Sequence, residues 1–110
     1  MKPKLKVFIS QRMKDLSDDI ISENRKKLTA YIEYKLFPEA DVEIVDSYFE
    51  EYPNDTCKNK GVWYLGKSLQ KLSEADAFVI ESGAEESRGC KIEMNVADAY
   101  GIDTYVGYID

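Results

Sequence analysis

The sequence contains no histidine. This absence excludes serine or cysteine nucleophiles activated by histidine, histidine-ligated metal sites, and the side chain that most often transfers protons near neutral pH. Any catalytic chemistry must therefore depend on carboxylates, hydroxyls, lysine or arginine side chains, or backbone dipoles. We expect no metal ion and no other cofactor.

Common phosphate-binding motifs and long apolar segments are also absent. There is no GxxxxGK[ST] loop, and no GxGxxG follows the first apolar segment, which excludes ordinary nucleoside triphosphatases and dinucleotide dehydrogenases. No apolar run has the length of a membrane span, and residues 1–10 lack the apolar core of a secretory signal. The two cysteines, Cys57 and Cys90, form no Cys-x-x-Cys pair. These patterns predict a cytoplasmic protein with reduced thiols and no membrane partner.

Basic residues are in the minority, 15 against 21 acidic ones, which gives a net charge of -6. An acidic chain does not favour binding to a nucleic acid polymer, which needs a basic face. Basic residues nevertheless predominate within residues 1–36, nine against five acidic ones. This local excess either lies on a solvated helix face or, at residues 12–14, faces an anionic ligand.

The 110 residues, 44% of them hydrophobic, are sufficient for one domain with its own core. Apolar runs predict strands at residues 4–10, 41–46, 76–81 and 103–109, and helical spacing predicts helices at residues 17–36, 62–74 and 87–100. Strands that alternate with helices predict an α/β fold. We expect a three-layer, Rossmann-like or flavodoxin-like sandwich, in which three main helices cover a four-stranded, mainly parallel sheet.

Polar residues follow the first three predicted strands, namely Ser10-Gln11, Asp46-Ser47 and Glu81-Ser82. Ligands of such sheets bind outside the carboxyl ends of the strands. The loop after the first strand also carries Arg12, and backbone N–H groups beside an arginine form an anion site. The alternative is an ordinary loop with exposed charges.

Helical spacing singles out Glu93 among the acidic residues. Gly89, Glu93 and Ala97 lie on one face of the predicted third helix, so that the smallest side chains flank a carboxylate. The space in front of this carboxylate and the helix dipole suit a nucleophile that attacks an anomeric carbon. The alternative is that the small residues only permit close packing, while Glu93 is solvated or paired to Lys91 or Arg88.

Trp63 and Tyr64 begin the predicted second helix. They either stack on a base or a sugar, or form part of the core or its rim. The chain has eight tyrosines in all, and these line either a pocket or an oligomer interface.

Three segments carry a family resemblance: VFIS at residues 7–10, LSEADAFV at residues 72–79, and the pattern Gly89…Glu93…Ala97…Gly101. Together they resemble the nucleoside 2-deoxyribosyltransferase superfamily, and in particular a short branch from bacteria and phages whose function is unassigned. The resemblance covers about residues 4–107 and implies one domain of this type over residues 1–110.

The resemblance implies roles for individual residues. In that superfamily the helix glutamate, matched here by Glu93, bonds covalently to the anomeric carbon of a 2-deoxynucleoside, and the glycosyl group then passes to another base or to water. Ser87 matches the serine that the deoxynucleoside-monophosphate N-glycosidases carry at the corresponding place. Ser10, Gln11 and Arg12 match the loop that binds the 5′-phosphate in those enzymes.

The chain departs from the family at two positions. Ser68 stands where many members carry an aspartate, and Asn95 stands where glycine is usual. Protonation of the leaving base then falls to Asp46, Glu81, Glu85 or water. Asp46 is the preferred acid/base partner, because it ends the second predicted strand.

The sequence therefore predicts cleavage or transfer at the N-glycosidic bond of a (deoxy)nucleoside or nucleoside 5′-monophosphate. Glu93 and Asp46 are the predicted catalytic residues, and the predicted substrate contacts are Ser10, Gln11, Arg12, Trp63, Tyr64, Ser87 and Gly89. One alternative is a non-catalytic nucleotide-binding or sensor module, which the departures at Ser68 and Asn95 favour. Another is a structural homo-oligomeric protein, and the uncovered edges of a four-stranded sheet favour a homo-oligomer.

Overall fold

The computed structural model describes residues 2–45 and 52–109. Its elements follow one another as β1 (Lys4–Ser10), α1 (Asp18–Tyr31), a π-helical turn (Ile32–Leu36), β2 (Asp41–Val45), α2 (Lys60–Leu72), β3 (Ala77–Glu81), a 3-10 turn (Ala84–Glu86), α3 (Arg88–Ala99) and β4 (Asp103–Gly107). The order of strands and helices is the predicted one. The long first helix is not regular throughout, because its last five residues widen into the π-helical turn before the chain reaches Pro38.

The four strands form one sheet in the order β2-β1-β3-β4, and every neighbouring pair is parallel. The predicted α/β fold with a four-stranded sheet and three main helices is therefore confirmed. The register places Phe8 opposite Phe78 and Ser10 opposite Ile80 at the centre of the sheet. The two central strands β1 and β3 consequently end at the same edge.

One face of the sheet packs against α1. Val7, Ile9 and Val79 point to this face and are buried with Leu28 of α1 and with Ile32. Alternate residues of a strand point to opposite faces, so the intervening side chains lie on the other side of the sheet.

The second face packs against α2 and α3. Phe8 stacks on Phe78 there, with ring centroids 5.8 Å apart, and both rings lie in one cluster with Leu72 of α2 and Ala97 of α3. Since α1 lies on the opposite face, the chain forms three layers with the sheet in the middle.

Local signals in the sequence fix where the first two helices begin. Ser17 caps α1, because its hydroxyl oxygen accepts the backbone N–H of Ile20 at 3.2 Å. Asn59 caps α2 through the N–H of Val62 at 3.0 Å, which starts this helix at Lys60, two residues before the predicted position. Within residues 2–45 and 52–109, no helix combines the length and the apolar character that crossing a membrane requires.

The connections of the chain diverge at the carboxyl edge of the sheet, between β1 and β3. These strands are neighbours, but the chain leaves β1 towards α1 and leaves β3 towards α3, on opposite faces. Connections that separate in this way open a crevice at the strand ends, where α/β sheets bind ligands. Ser10, Gln11 and Glu81 are buried at this edge.

Candidate functional site

The centre of the candidate site is a hydrogen bond between β1 and α3. Ser10, the last residue of β1, donates from its hydroxyl to Oε1 of Glu93 at 2.7 Å. Ser10 is 1% exposed and Glu93 is 9% exposed, so the contact is shielded from bulk water. The structure thus brings together two residues that are 83 positions apart in the sequence.

Helix geometry explains why Glu93 faces the sheet. The buried residues of α3 are Cys90, Glu93 and Ala97, which lie three and four positions apart on a single face. Lys91 and Arg88, the partners considered from the sequence, are exposed residues of the same helix. Glu93 is directed at Ser10 instead, and is neither solvated nor on the side of these cations.

Ser68 of α2 is a second hydroxyl near the carboxylate, where it acts to lower the pKa of Glu93. Sequence reasoning treated Ser68 only as a departure from a family pattern and missed this effect. A signal was available: Ser68 lies three residues after Leu65 and four before Leu72, on the apolar stripe of α2. A polar residue on such a stripe is buried and needs a polar partner.

Burial raises the pKa of Glu93 above its ordinary value, because the carboxylate loses most of its solvating water. The hydroxyls of Ser10 and Ser68 favour the ionised form and act in the opposite direction. Burial has the larger effect, so Glu93 holds its proton to a higher pH than an exposed glutamate does.

The loop after β1 is only partly available to an anion. The backbone N–H of Arg12 donates to Oε1 of Glu81 at 3.0 Å, so this predicted anion donor is already engaged by a carboxylate. The side-chain nitrogen of Gln11 donates to the carbonyl oxygen of Ile21 at 2.7 Å, which directs Gln11 towards α1. Its Oε1 has no partner among the described residues. The Arg12 side chain is exposed and remains accessible.

The beginning of α3 carries two of the residues that the sequence predicts to contact the substrate. Ser87 is the N-cap residue of α3, but its hydroxyl makes no capping hydrogen bond. Gly89 lies one helical turn before Glu93, and a Cβ atom added to Gly89 would meet no atom within 4 Å. Gly89 is exposed, so this space is open to solvent.

The two aromatic residues of α2, Trp63 and Tyr64, contact each other edge to face, with ring centroids 5.0 Å apart. Tyr64 precedes Ser68 by one helical turn, so it shares the face of α2 that carries Ser68, and it is 36% exposed. Trp63 lies on the neighbouring face, where the ammonium of Lys67 is 5.3 Å from its ring centroid. Trp63 also borders a surface cavity of about 400 Å³ that contains Cys57 but not Glu93.

Asp46, the predicted acid/base partner, lies outside the described residues. Among the residues that are described, no cluster of three or more aspartate, glutamate or cysteine side chains could hold a metal ion.

Comparison with known proteins adds no relative: no protein-family model, no curated protein and no solved structure matches this chain. The resemblance to the nucleoside 2-deoxyribosyltransferases therefore stays a prediction from the residues that carry it.

Proposed function

We propose that this protein cleaves or transfers the N-glycosidic bond of a (deoxy)nucleoside or nucleoside 5′-monophosphate, with Glu93 as the nucleophile. One observation carries the proposal. A buried carboxylate is held by the Ser10 hydroxyl at the carboxyl edge of the sheet, and Gly89 leaves open space one helical turn away. This combination suits attack on a carbon atom that enters the crevice.

The chemistry would proceed in two steps. A carboxylate oxygen of Glu93 attacks the anomeric carbon, the carbon–nitrogen bond breaks, and the base leaves with the bonding electrons and takes up a proton. The resulting glycosyl ester is then attacked by water, or by the nitrogen of another base, which releases the Glu93 carboxylate. The hydrogen bond from Ser10 holds the carboxylate in one orientation, which lowers the entropy cost of the attack.

Side chains around the approach would bind the rest of the substrate. The exposed Arg12 guanidinium and the uncommitted Ser87 hydroxyl supply donors for a 5′-phosphate, and the N-terminus of α3 adds a positive dipole. Tyr64, on the same face of α2 as Ser68, would pack against the base or the sugar. Asp46 remains the proposed proton donor to the leaving base, since Ser68 carries no carboxyl group.

The cellular setting belongs to the same proposal. Cys57 and Cys90 are free thiols, which fits a reducing compartment such as the cytoplasm. Tyr100, Val106 and Tyr108 are exposed along or beside the edge strand β4, and a homo-oligomer would cover them. A nucleoside or nucleotide is the proposed small-molecule partner.

The direct test replaces the nucleophile without changing its shape. Glu93→Gln and wild type are incubated with a panel of nucleosides and nucleoside 5′-monophosphates, with and without an acceptor base, and free base is quantified by chromatography. We expect wild type to release base and Glu93→Gln to lose at least about a thousandfold in kcat. Asp98→Asn, an exposed carboxylate-to-amide change on the same helix, is the matched control and should retain activity. Equal base release by wild type and Glu93→Gln would overturn the proposal.

A second candidate function is a nucleotide-binding or sensor module without catalysis. The buried hydrogen bond from Ser10 to Glu93 favours it, because a carboxyl group that already has a hydroxyl partner also serves a purely structural role. Thermal unfolding with the same nucleotide panel separates the two functions. Stabilisation by a nucleotide that stays intact throughout the incubation would support the binding module.

A further inference from the structure

Gln11, the residue that follows β1, carries a buried oxygen atom without a partner. Gln11 is 5% exposed, and its Oε1 accepts no hydrogen bond from any of the described residues. Buried polar atoms nearly always have a hydrogen-bond partner, because the loss of water without a replacement is costly. The reaction steps proposed above use no atom of Gln11, so this oxygen requires a separate explanation.

The other end of the same amide shows that the free group is an acceptor. Nε2 of Gln11 donates to the carbonyl oxygen of Ile21 in α1 at 2.7 Å. Exchanging the two amide atoms would place Oε1 against that carbonyl oxygen, and two acceptors form no hydrogen bond. Gln11 therefore offers only an acceptor, and a phosphate dianion, which also only accepts, gains no hydrogen bond from it.

Glu81 adds a second acceptor on the same side of the sheet. Continuing the register of β1 and β3 by one residue brings Gln11 beside Glu81. Val79 is buried with α1, and Glu81, two residues further along β3, points to that side as well. Glu81 is 8% exposed, and its Oε1 accepts the backbone N–H of Arg12, the residue after Gln11, at 3.0 Å. A ligand that binds on this side of the carboxyl edge must therefore bring a donor.

We propose that Oε1 of Gln11 accepts a hydrogen bond from the 3′-hydroxyl of the bound sugar, which makes Gln11 a specificity-determining residue. A sugar donates through its hydroxyls, and the 3′-hydroxyl is common to nucleosides and their 5′-monophosphates. This inference rests on the proposed function, since it takes the anomeric carbon of the sugar to lie at Glu93. It replaces the predicted contact between Gln11 and a phosphate.

The end of β1 positions the two contacts on either side of the sugar. Ser10 and Gln11 are consecutive residues, with Cα atoms about 3.8 Å apart, and their side chains lie on opposite sides of the sheet. Ser10 donates to Glu93 of α3, whereas Gln11 donates to α1. Oε1 of Gln11 is closed to bulk water in the free protein, so the loop that follows β1 shifts outward when the hydroxyl binds.

The test compares ligands with and without the 3′-hydroxyl. Matched pairs of 2′-deoxynucleosides and 2′,3′-dideoxynucleosides, one pair for each DNA base, are titrated calorimetrically into Glu93→Gln, which leaves them intact. For the base that the site accepts, we expect the 2′-deoxynucleoside to bind roughly tenfold more tightly than the 2′,3′-dideoxynucleoside.

Gln11→Met, added to Glu93→Gln, tests the residue itself, because methionine has nearly the shape of glutamine but no amide oxygen. The preference for the 3′-hydroxyl should fall below about twofold. Gln70→Met changes an exposed glutamine of α2 and is the matched control, which should keep the preference. Gln11→Met should also leave unchanged the ratio of the affinities for a nucleoside and its 5′-monophosphate, because Gln11 does not contact the phosphate.

A second readout needs no substitution at residue 11, in case Gln11→Met does not fold. The side-chain amide of Gln11 is followed by NMR in Glu93→Gln during the same titrations. Its signals should shift at saturation with the 2′-deoxynucleoside and shift much less with the 2′,3′-dideoxynucleoside.

The role of Gln11 fails if both members of every pair bind equally, if the preference survives Gln11→Met, or if both ligands shift the Gln11 amide alike. It also fails, together with the proposed function, if no nucleoside binds. If nucleosides bind with the expected preference but wild type releases no base, only the proposed function fails. If wild type releases base from both members of a pair with equal kcat/KM, only the role of Gln11 fails.

Discussion

Glu93 carries its negative charge in surroundings that oppose it. Burial disfavours the ionised carboxylate, and the hydroxyls of Ser10 and Ser68 compensate only in part. A proposed nucleophile must be ionised to attack, so this balance sets the pH range in which the site can act. The same balance connects the charge of Glu93 to the stability of the fold.

Glu93 should destabilise the folded protein as pH rises. The folded-state pKa of Glu93 lies above the ordinary value of 4.5. The stabilisation of the folded protein by the protonated carboxyl group is therefore fully present below pH 4.5, and it is lost as the pH rises through the folded-state pKa. Each unit of difference contributes about 1.4 kcal/mol. The glutamine side chain in Glu93→Gln does not titrate. The free energy of unfolding of this variant, relative to that of wild type, should therefore increase between about pH 4 and pH 8. Urea unfolding of both proteins across that pH range is the measurement. A stability difference that is constant with pH, or that moves the other way, would contradict the raised pKa.

Activity should follow the same ionisation. We expect kcat/KM for base release to fall on the acidic side with an apparent pKa above 4.5, because a protonated Glu93 cannot attack. Ser68→Ala removes one hydroxyl that favours the charged form, and should move this acidic limb to higher pH. The measurement is the pH profile of wild type and Ser68→Ala with one substrate. An unshifted limb in Ser68→Ala would show that Ser68 does not act on the charge of Glu93.

At the scale of elements, α2 and α3 form the approach to the site. Both helices begin at the carboxyl edge of a parallel sheet, so their N-terminal dipoles favour an anionic group there. The faces that matter carry Tyr64 and Ser68 on α2, and Gly89 and Glu93 on α3. In the first turn of α3, residue 89 is glycine, the residue with the smallest side chain.

Gly89→Ala should separate activity from stability. A Cβ atom at residue 89 meets no atom within 4 Å, so the fold accepts it, and alanine stabilises a helix by up to about 1 kcal/mol relative to glycine. The same methyl group enters the space beside Glu93, and we expect kcat/KM to fall roughly tenfold. Thermal unfolding and base-release kinetics measure the two effects.

Gly66→Ala is the matched control for this prediction. Gly66 is a helical glycine of α2 whose added Cβ also meets no atom within 4 Å, but it is two residues away from Ser68 and on another face. It should raise stability to a similar degree and leave kcat/KM unchanged. Equal kinetics for both alanine variants would mean that the substrate does not pass Gly89.

At the scale of the whole molecule, the sheet and α1 are in close contact at Gly107. This residue ends β4, and a Cβ atom built there would lie 2.6 Å from Cδ2 of Leu28 in α1 and 3.2 Å from Cγ1 of Val79 in β3. Both side chains are fully buried and have little room to move. Glycine at residue 107 thus fixes how near the layer of α1 lies to the sheet.

Gly107→Ala should destabilise the protein by about 1–3 kcal/mol, because the added methyl group overpacks the core between the layers. Urea unfolding of Gly107→Ala beside Gly66→Ala measures this cost, since both variants add the same methyl group. A Gly107→Ala variant as stable as wild type would show that Leu28 and Val79 relax freely at this contact.

The sequence was sufficient for those features that depend on neighbouring residues. Apolar runs predicted the four strands, helical spacing predicted the three helices, and the first helix was predicted to start near Ser17, which caps α1. Each of these signals acts over a few residues, within one turn of helix or a few residues of strand. Such signals are therefore readable without knowing how the elements pack.

Only the tertiary structure decided which groups meet. Glu93 accepts a hydrogen bond from Ser10, which lies 83 residues away on a strand, and Glu81 accepts from the Arg12 backbone N–H that the sequence assigned to an anion. These contacts depend on strand order, helix crossing and register, which no local pattern encodes. Because a buried polar group must find a partner wherever the fold places it, the partners of Glu93 became known only when the three layers were assembled.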